Sequence, residues 1–379
     1  MPEPRETDRP APHEGPAATP RTGPDAGVRL SDLVGLEPAR PVTVVLDAAH
    51  GAAGRVVRDA LGDGVGGALH LVLVRGDEEP GDAPALAGDG PLVTGLGTRA
   101  DAAASTADLR AAVLEHAADL GLALDPTGCA LTVLDEAGEP VDEGVVAVLV
   151  GLRVVARELA AGRAPTLVRD VLASRVLEDL VGGAGAELVR TRVGLPALAD
   201  AVAEHGAVLG VGHGGVFVVG GAGDTGETGD TGATGDAGET GDAVGARSGG
   251  SGGAPVASGL VAGLHVVAAL ADQPHPMSVL AELYQPYVST GVLVVDVADA
   301  AAATERVHDA YVARQGAGPV VADELDGLTV AHWDATPQWW FSVRASGSGD
   351  RVGLLVEAAD EDIVEKVRDD VLALVREDR

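Results

Sequence analysis

Cysteine, lysine and aromatic side chains are nearly missing from this chain. Cys129 is the only cysteine, so no disulfide can form within the chain and nothing argues for an oxidising compartment. Aromatics make up 2% of the 379 residues, which leaves Val, Leu and Ala to fill the cores. Lys366 is the sole lysine, no run of basic residues occurs, and the net charge is −32. Such a field repels phosphate backbones and anionic lipid, so neither nucleic acid nor a membrane is expected as a partner. A small phosphorylated ligand remains open if arginines cluster locally. Long apolar runs are missing too. Pro255 to Ala271 is the most apolar stretch, yet it is shorter than a membrane span and carries His265. The first 27 residues lack the apolar core of a signal peptide. A cytoplasmic location is the expectation.

What is present reads as alternating strands and helices. Residues 1–27 hold almost nothing to bury and are expected to be disordered. PVTVVLD at 41–47, a glycine-bearing turn and a helix at 55–61 open a βαβ unit, with HLVLVRG at 70–76 as a further strand. The centre of the pattern is DLGLALDPTGCALTVLDEAG at 119–138, a strand, a tight loop opening with Asp125, and a second strand. A loop at the carboxyl end of a buried strand is where α/β sheets place ligands. A helix at 141–162, the strand PTLVRDV, a helix at 174–181, the strand AELVRTRVG, a helix at 196–205 and the strand AVLGVG repeat the theme. An acidic Gly-x-y run without proline follows, and it reads as a flexible loop rather than a collagen triple helix. The last stretch carries strands at GVLVVDV, LTVAHWD, QWWFSVRAS and GLLVEAAD, with helices at TERVHDAYVARQG and 362–376.

Several of these segments resemble the α-D-phosphohexomutases, the phosphomannomutase/phosphoglucomutase family. VTVVLDAAHGAAG is similar to the V-V-V-D-x-x-x-G that opens the family's second domain. The Asp125 loop resembles its metal loop, D-G-D-A/G-D-R. ELVRTRVG resembles R-T-x-V-G, GVGHGGV stands where G-E-x-S-G-H is usual, and RASGSGDRVG resembles the phosphate loop R-x-S-N/G-T-E-P-x-x-R. The resemblance implies two α/β domains with mixed sheets, at 28–140 and 141–282, the second carrying the acidic insertion at 222–254. A C-terminal α+β domain with an antiparallel sheet is implied at 283–379.

It also implies sites. Arg344, Ser346 and Ser348 match the phosphate loop, in which a guanidinium and hydroxyls hold phosphate oxygens. Their plainer reading is a polar turn between two strands. Arg192 matches the basic residue before the V-G, and His213 remains from the sugar-reading loop, so these two are the sugar-binding candidates. Asp125 matches the first of three magnesium-holding aspartates, but Thr127 and Cys129 stand in place of the others. Asp125 is then a remnant, or simply a turn cap. Magnesium is the family's cofactor, and with this ligand set no cofactor is expected. No T-A-S-H-N-P, the family's phosphoserine motif, occurs in the chain. The expectation is a truncated, degenerate homologue without a catalytic residue, which binds a hexose phosphate or phosphate. Two alternatives stand beside it: a regulatory or structural partner of an authentic mutase, or a working mutase that borrows a nucleophile domain in trans.

Overall fold

The computed structural model describes residues 34–49, 54, 56–57, 68–75, 106–125, 127–220, 255–312 and 320–376, and the statements below refer to those. The segment 1–27, most of the helix expected at 55–61 and the insertion at 222–254 lie outside them.

Three sheets organise the chain. The first holds β1 (Val42–Asp47), β2 (Leu69–Val74), β3 (Leu120–Leu124) and β4 (Leu131–Leu134), in the order β2-β1-β3-β4. β1 runs parallel to both neighbours, with Val45 opposite Val72 and Gly121, and β4 returns antiparallel to β3. Strand β1 is almost wholly buried, as an unbroken Val/Leu run requires in a parallel sheet covered on both faces. On one face α1 (Ala107–Glu115) sets Leu109 and Val113 against Val45 and Leu134.

Helix α2 (Glu143–Ala160) begins where Asp142 accepts the Gly144 N–H at 2.8 Å, a side-chain cap that satisfies one of the orphan donors of the first turn. It leads to the second sheet, β5 (Thr166–Asp170), β6 (Glu187–Thr191), β7 (Leu209–Gly212), β8 (Val216–Val219) and β9 (Val256–Ala257), ordered β6-β5-β7-β8-β9. β5 is parallel to β6 and β7, and β8 is antiparallel to β7. The helix expected at 174–181 is a π-helical turn at Leu177–Gly182 instead. Gly182 is its last residue and glycines at 183 and 185 follow, Gly185 with φ +107, and they end the element before a regular helix can propagate. Helix α3 (Leu195–Glu204) covers one face with Leu198, Ala201 and Val202. Helix α4 (Gly259–Ala271), capped by Ser258 on Val261 N–H at 3.1 Å, is buried on nearly every side. One continuous core joins it and α2 to residues of both sheets, among them Leu46, Leu122, Leu167 and Leu209. Helix α5 (Met277–Tyr284) closes this core with Met277 and Leu280.

The third sheet is antiparallel throughout: β10 (Val288–Asp296), β11 (Val321–Asp323), β12 (Leu328–His332), β13 (Trp339–Ala345) and β14 (Arg351–Ala358), ordered β10-β14-β13-β12-β11. Helices α6 (Ala300–Val312) and α7 (Glu361–Val375) cover one face with Ala303, Val307, Val364 and Val371 packed on Phe341, Val343 and Val356. The other face carries Trp340, which meets Val171 and Leu172 from the loop after β5.

Candidate functional site

The parallel strands β5, β6 and β7 finish side by side at Asp170, Thr191 and Gly212. Asp170 is buried, and its carboxylate accepts N–H bonds from Leu172 and Ala173, both 2.9 Å, and from His213 at 2.7 Å. The His213 ring, about 10% exposed, sets Nδ1 2.5 Å from Glu143 Oε1, while Gly214 N–H donates to Glu143 Oε2 at 2.8 Å. Burial opposes a charged imidazole here, but the charge and hydrogen bond of Glu143, with Asp170 behind, outweigh it and raise His213 to about 9. Burial likewise works against the Glu143 carboxylate, yet His213 and the glycine N–H groups hold it below its usual range. Burial raises Asp170 despite its N–H donors. A small pocket opens beside these groups, lined by Glu143, Ala173, Ser174, Gly212 and His213.

The third sheet docks on the same end of the second. Asp326, in the turn between β11 and β12, accepts the Val193 N–H at 2.8 Å and the Arg344 guanidinium at 2.9 Å. Arg190 meets Asp323 at 2.8 Å. Buried Glu357 takes the Trp340 indole N–H at 2.8 Å and the Arg175 backbone N–H at 2.9 Å, and burial raises its carboxyl. Arg175 lies over Trp333, 5.7 Å from the ring centroid. Arg344 is near enough to His213 to oppose its protonation.

Of the residues singled out in the sequence, Arg192, His213 and Arg344 therefore come to one junction. Arg192 is exposed directly after β6, next to the Val193 that holds Asp326. Ser346 and Ser348 sit in the turn between β13 and β14, their hydroxyls 3.0 Å apart, and both donate to Asp350. Asp125 lies apart from them. One of its oxygens accepts Ala130 N–H at 2.6 Å, and the other takes the Thr127 N–H at 3.1 Å and the Thr127 hydroxyl. Sequence reasoning passed over Asp170, Glu143, Asp326 and Glu357. The Asp-Gly pair at 326–327 was the one available signal, as a turn dipeptide.

A family model described as "Phosphoglucomutase/phosphomannomutase, alpha/beta/alpha domain III" matches residues 145–234. Phosphoglucosamine mutase of Streptomyces avermitilis is 32% identical over 171 residues, 45% of this chain and 33% of that protein. Phosphoglucosamine mutase of Hyphomonas neptunium is 27% identical over 340 residues, 89% of this chain and 60% of that protein. The fold is similar to a phosphoglucomutase/phosphomannomutase family protein from Burkholderia thailandensis, with TM-score 0.64, 20% identity, and coverage of 91% of this chain and 63% of that one. Residues 145–234 match that family's third domain, and in sequence and fold the chain is similar to the α-D-phosphohexomutases.

The chain spans between about a third and 60% of the lengths of those two relatives. A further solved structure of similar fold, N-acetylphosphoglucosamine mutase of Aspergillus fumigatus, is described as a complex with GlcNAc-6P and magnesium; it has TM-score 0.55 and 14% identity, with coverage of 92% of this chain and 64% of that one. The Asp125 loop does not fit that ion. Both Asp125 oxygens are taken up by the loop's own N–H groups and Thr127, and the neighbouring positions offer a hydroxyl and the soft thiol of Cys129 rather than carboxylates. Among the described residues, no group of three His, Cys, Asp or Glu could hold a metal ion. Nor is any described helix long and apolar enough to cross a membrane.

Proposed function

We propose that this chain is a non-catalytic phosphohexomutase relative that binds a hexose phosphate, or phosphate itself, at the junction of its second and third sheets. Arg344 is the phosphate contact, Ser346 and Ser348 supply hydroxyls from the adjoining turn, and Arg192 and His213 flank the sugar. The observation that carries this reading is the junction itself: residues 192, 213 and 344, remote in sequence, converge at strand ends where α/β sheets gather ligands. A guanidinium fork suits two phosphate oxygens, and the protonated His213 adds a second cation. The domain boundaries near 140 and 282 put one sheet in each unit, so the ligand would bridge two units. Loss of catalysis is supported by the self-capped Asp125 loop, since phosphoryl transfer relies on metal to neutralise developing charge. It is supported further by Gly212, Gly214 and Val216, which offer no side-chain partner to sugar hydroxyls.

Thermal unfolding with millimolar glucosamine 6-phosphate, mannose 6-phosphate and inorganic phosphate tests the binding claim. The midpoint should rise with at least one of them, and Arg344→Ala should abolish the rise. No shift with any of the three would remove the proposal. A coupled assay with bisphosphorylated hexose and magnesium should give no turnover, and turnover above blank would overturn the non-catalytic part.

A further inference from the structure

At the junction the donors that should hold an anion are already held by carboxylates of the chain itself. Arg344 is paired with Asp326, Arg190 with Asp323, and the hydroxyls of Ser346 and Ser348 with Asp350. Asp326 stands out among these acids. Its Oδ2 sits 2.9 Å from the Arg344 guanidinium and 2.8 Å from the Val193 N–H, so one oxygen joins a cation of the third sheet to a backbone donor of the second. That is the pair of contacts an oxygen of a bound phosphate would make.

The backbone aims it there. Gly327 has φ +77, and a Cβ on it would lie 2.6 Å from Val343 O and 2.8 Å from Arg344 Cγ. Only glycine lets the chain lie this close to β13 immediately after Asp326. The Asp326 side chain is 19% exposed and sits in the turn between the two outermost strands on this side of the sheet. It can therefore swing into solvent without uncovering a core.

We propose that Asp326 is the specificity-determining residue of the anion site, a tethered carboxylate that holds Arg344 and Val193 N–H until a more highly charged ligand displaces it. The proposal rests on the reading of Arg344 as the phosphate contact. Because it is tethered, the carboxylate competes at an effective concentration on the order of millimolar or more. A free monoanion exchanges one negative charge for another at Arg344, gains nothing from the exchange, and fails against that tether. A phosphate dianion brings extra charge and several acceptor oxygens, enough to span the guanidinium and reach Val193 N–H together. The site thus admits phosphate and phosphate monoesters and rejects carboxylates and sulfonates, in a chain whose net charge of −32 already disfavours anions.

Titration calorimetry at about pH 8, where phosphate is chiefly dianionic, tests this with inorganic phosphate and methanesulfonate as probes. Wild type should bind phosphate and ignore methanesulfonate. Asp326→Asn keeps an acceptor for Val193 N–H but loses the charge. It should bind phosphate about threefold tighter or more, the size expected for releasing a partly exposed ion pair, and should acquire measurable methanesulfonate binding. Should Asp326→Asn fail to fold, Asp326→Ser carries the same expectation, and Asp326→Glu should retain the discrimination. Unchanged affinity and unchanged selectivity in the neutral variant, with phosphate binding lost in Arg344→Ala, would overturn the role of Asp326 and leave the phosphate site standing. Absence of phosphate binding in both wild type and Asp326→Asn would overturn the site and this proposal together.

Discussion

The first two sheets carry one arrangement twice: parallel strands flanked by an antiparallel hairpin, β3–β4 in the first and β7–β8 in the second. The two hairpins even pair with each other, Ala130 bridging Val216, Leu131 N–H donating to Gly215 O at 2.9 Å and Phe217 N–H to Cys129 O at 3.2 Å. Their polar groups behave in opposite ways. In the first loop Asp125 is spent on donors no more than five residues away. The second loop, His213-Gly214-Gly215, has no carboxylate or hydroxyl of its own, so its N–H groups reach out to Asp170 and Glu143, at the ends of β5 and α2. A loop that satisfies itself is closed to ligands and metals. One that must borrow acceptors from other elements collects charged groups, and the candidate site lies there.

The sharpest way to break this pairing is Gly215→Ala. Gly215 has φ +71, and an added Cβ would lie 2.1 Å from Leu131 O, so both hairpins must move apart. A cost of about 3 kcal/mol or more is expected, measured by urea denaturation. Gly128→Ala is the control in the other loop. Its φ of +73 is as demanding, but nothing lies within 4 Å, so only the left-handed penalty of about 1 kcal/mol should appear. Equal costs at the two glycines would show that the hairpins do not press on each other.

His213 sharpens the electrostatic half of the contrast. Its pKa is raised from 6.5 to about 9 in the folded state. Its contribution to stability is therefore fully present below about 6.5 and is lost as the pH rises through about 9. Glu143 is 39% exposed, so solvent screening reduces the pair's worth to about 1 to 2 kcal/mol. His213→Gln should lose that amount near pH 6, and its stability should converge on wild type above about pH 9. A pH-independent difference between the two proteins would mean that His213 packs without being charged.

The reading of the fold came from local pattern and succeeded where local pattern decides. Strands of Val and Leu and the loops between them were legible because parallel strands buried on both faces leave unbroken apolar runs. Trp339 and Trp340 show the limit. They are adjacent on one strand, and adjacent residues on a strand face opposite sides. Trp339 packs toward α6 against Tyr311, whereas Trp340 turns to Val171 and Leu172 of the second sheet's loop. Trp333 follows Trp340, joining Tyr287 and Arg175. In the candidate site, Arg344, Arg192 and His213 each stand within a short stretch that resembles a family motif. Asp326 and Glu357 were not legible, because their meaning lies in contacts across more than 130 residues of sequence that no local spacing encodes.

The smallest expected effect belongs to the loop that closes on itself. Asp125→Asn keeps one acceptor oxygen and gives up the carboxylate that serves Thr127 and Ala130 together, so about 1 kcal/mol or less should be lost. More telling is the response to magnesium. If the carboxylate is consumed by its own turn, adding millimolar magnesium should leave the melting temperatures of wild type and Asp125→Asn equally unmoved. A rise in wild type alone would show that the ion can pull Asp125 away from Thr127 and Ala130. That result would make the first loop as open to outside partners as the second, and the contrast between the two hairpins would no longer explain where the site lies.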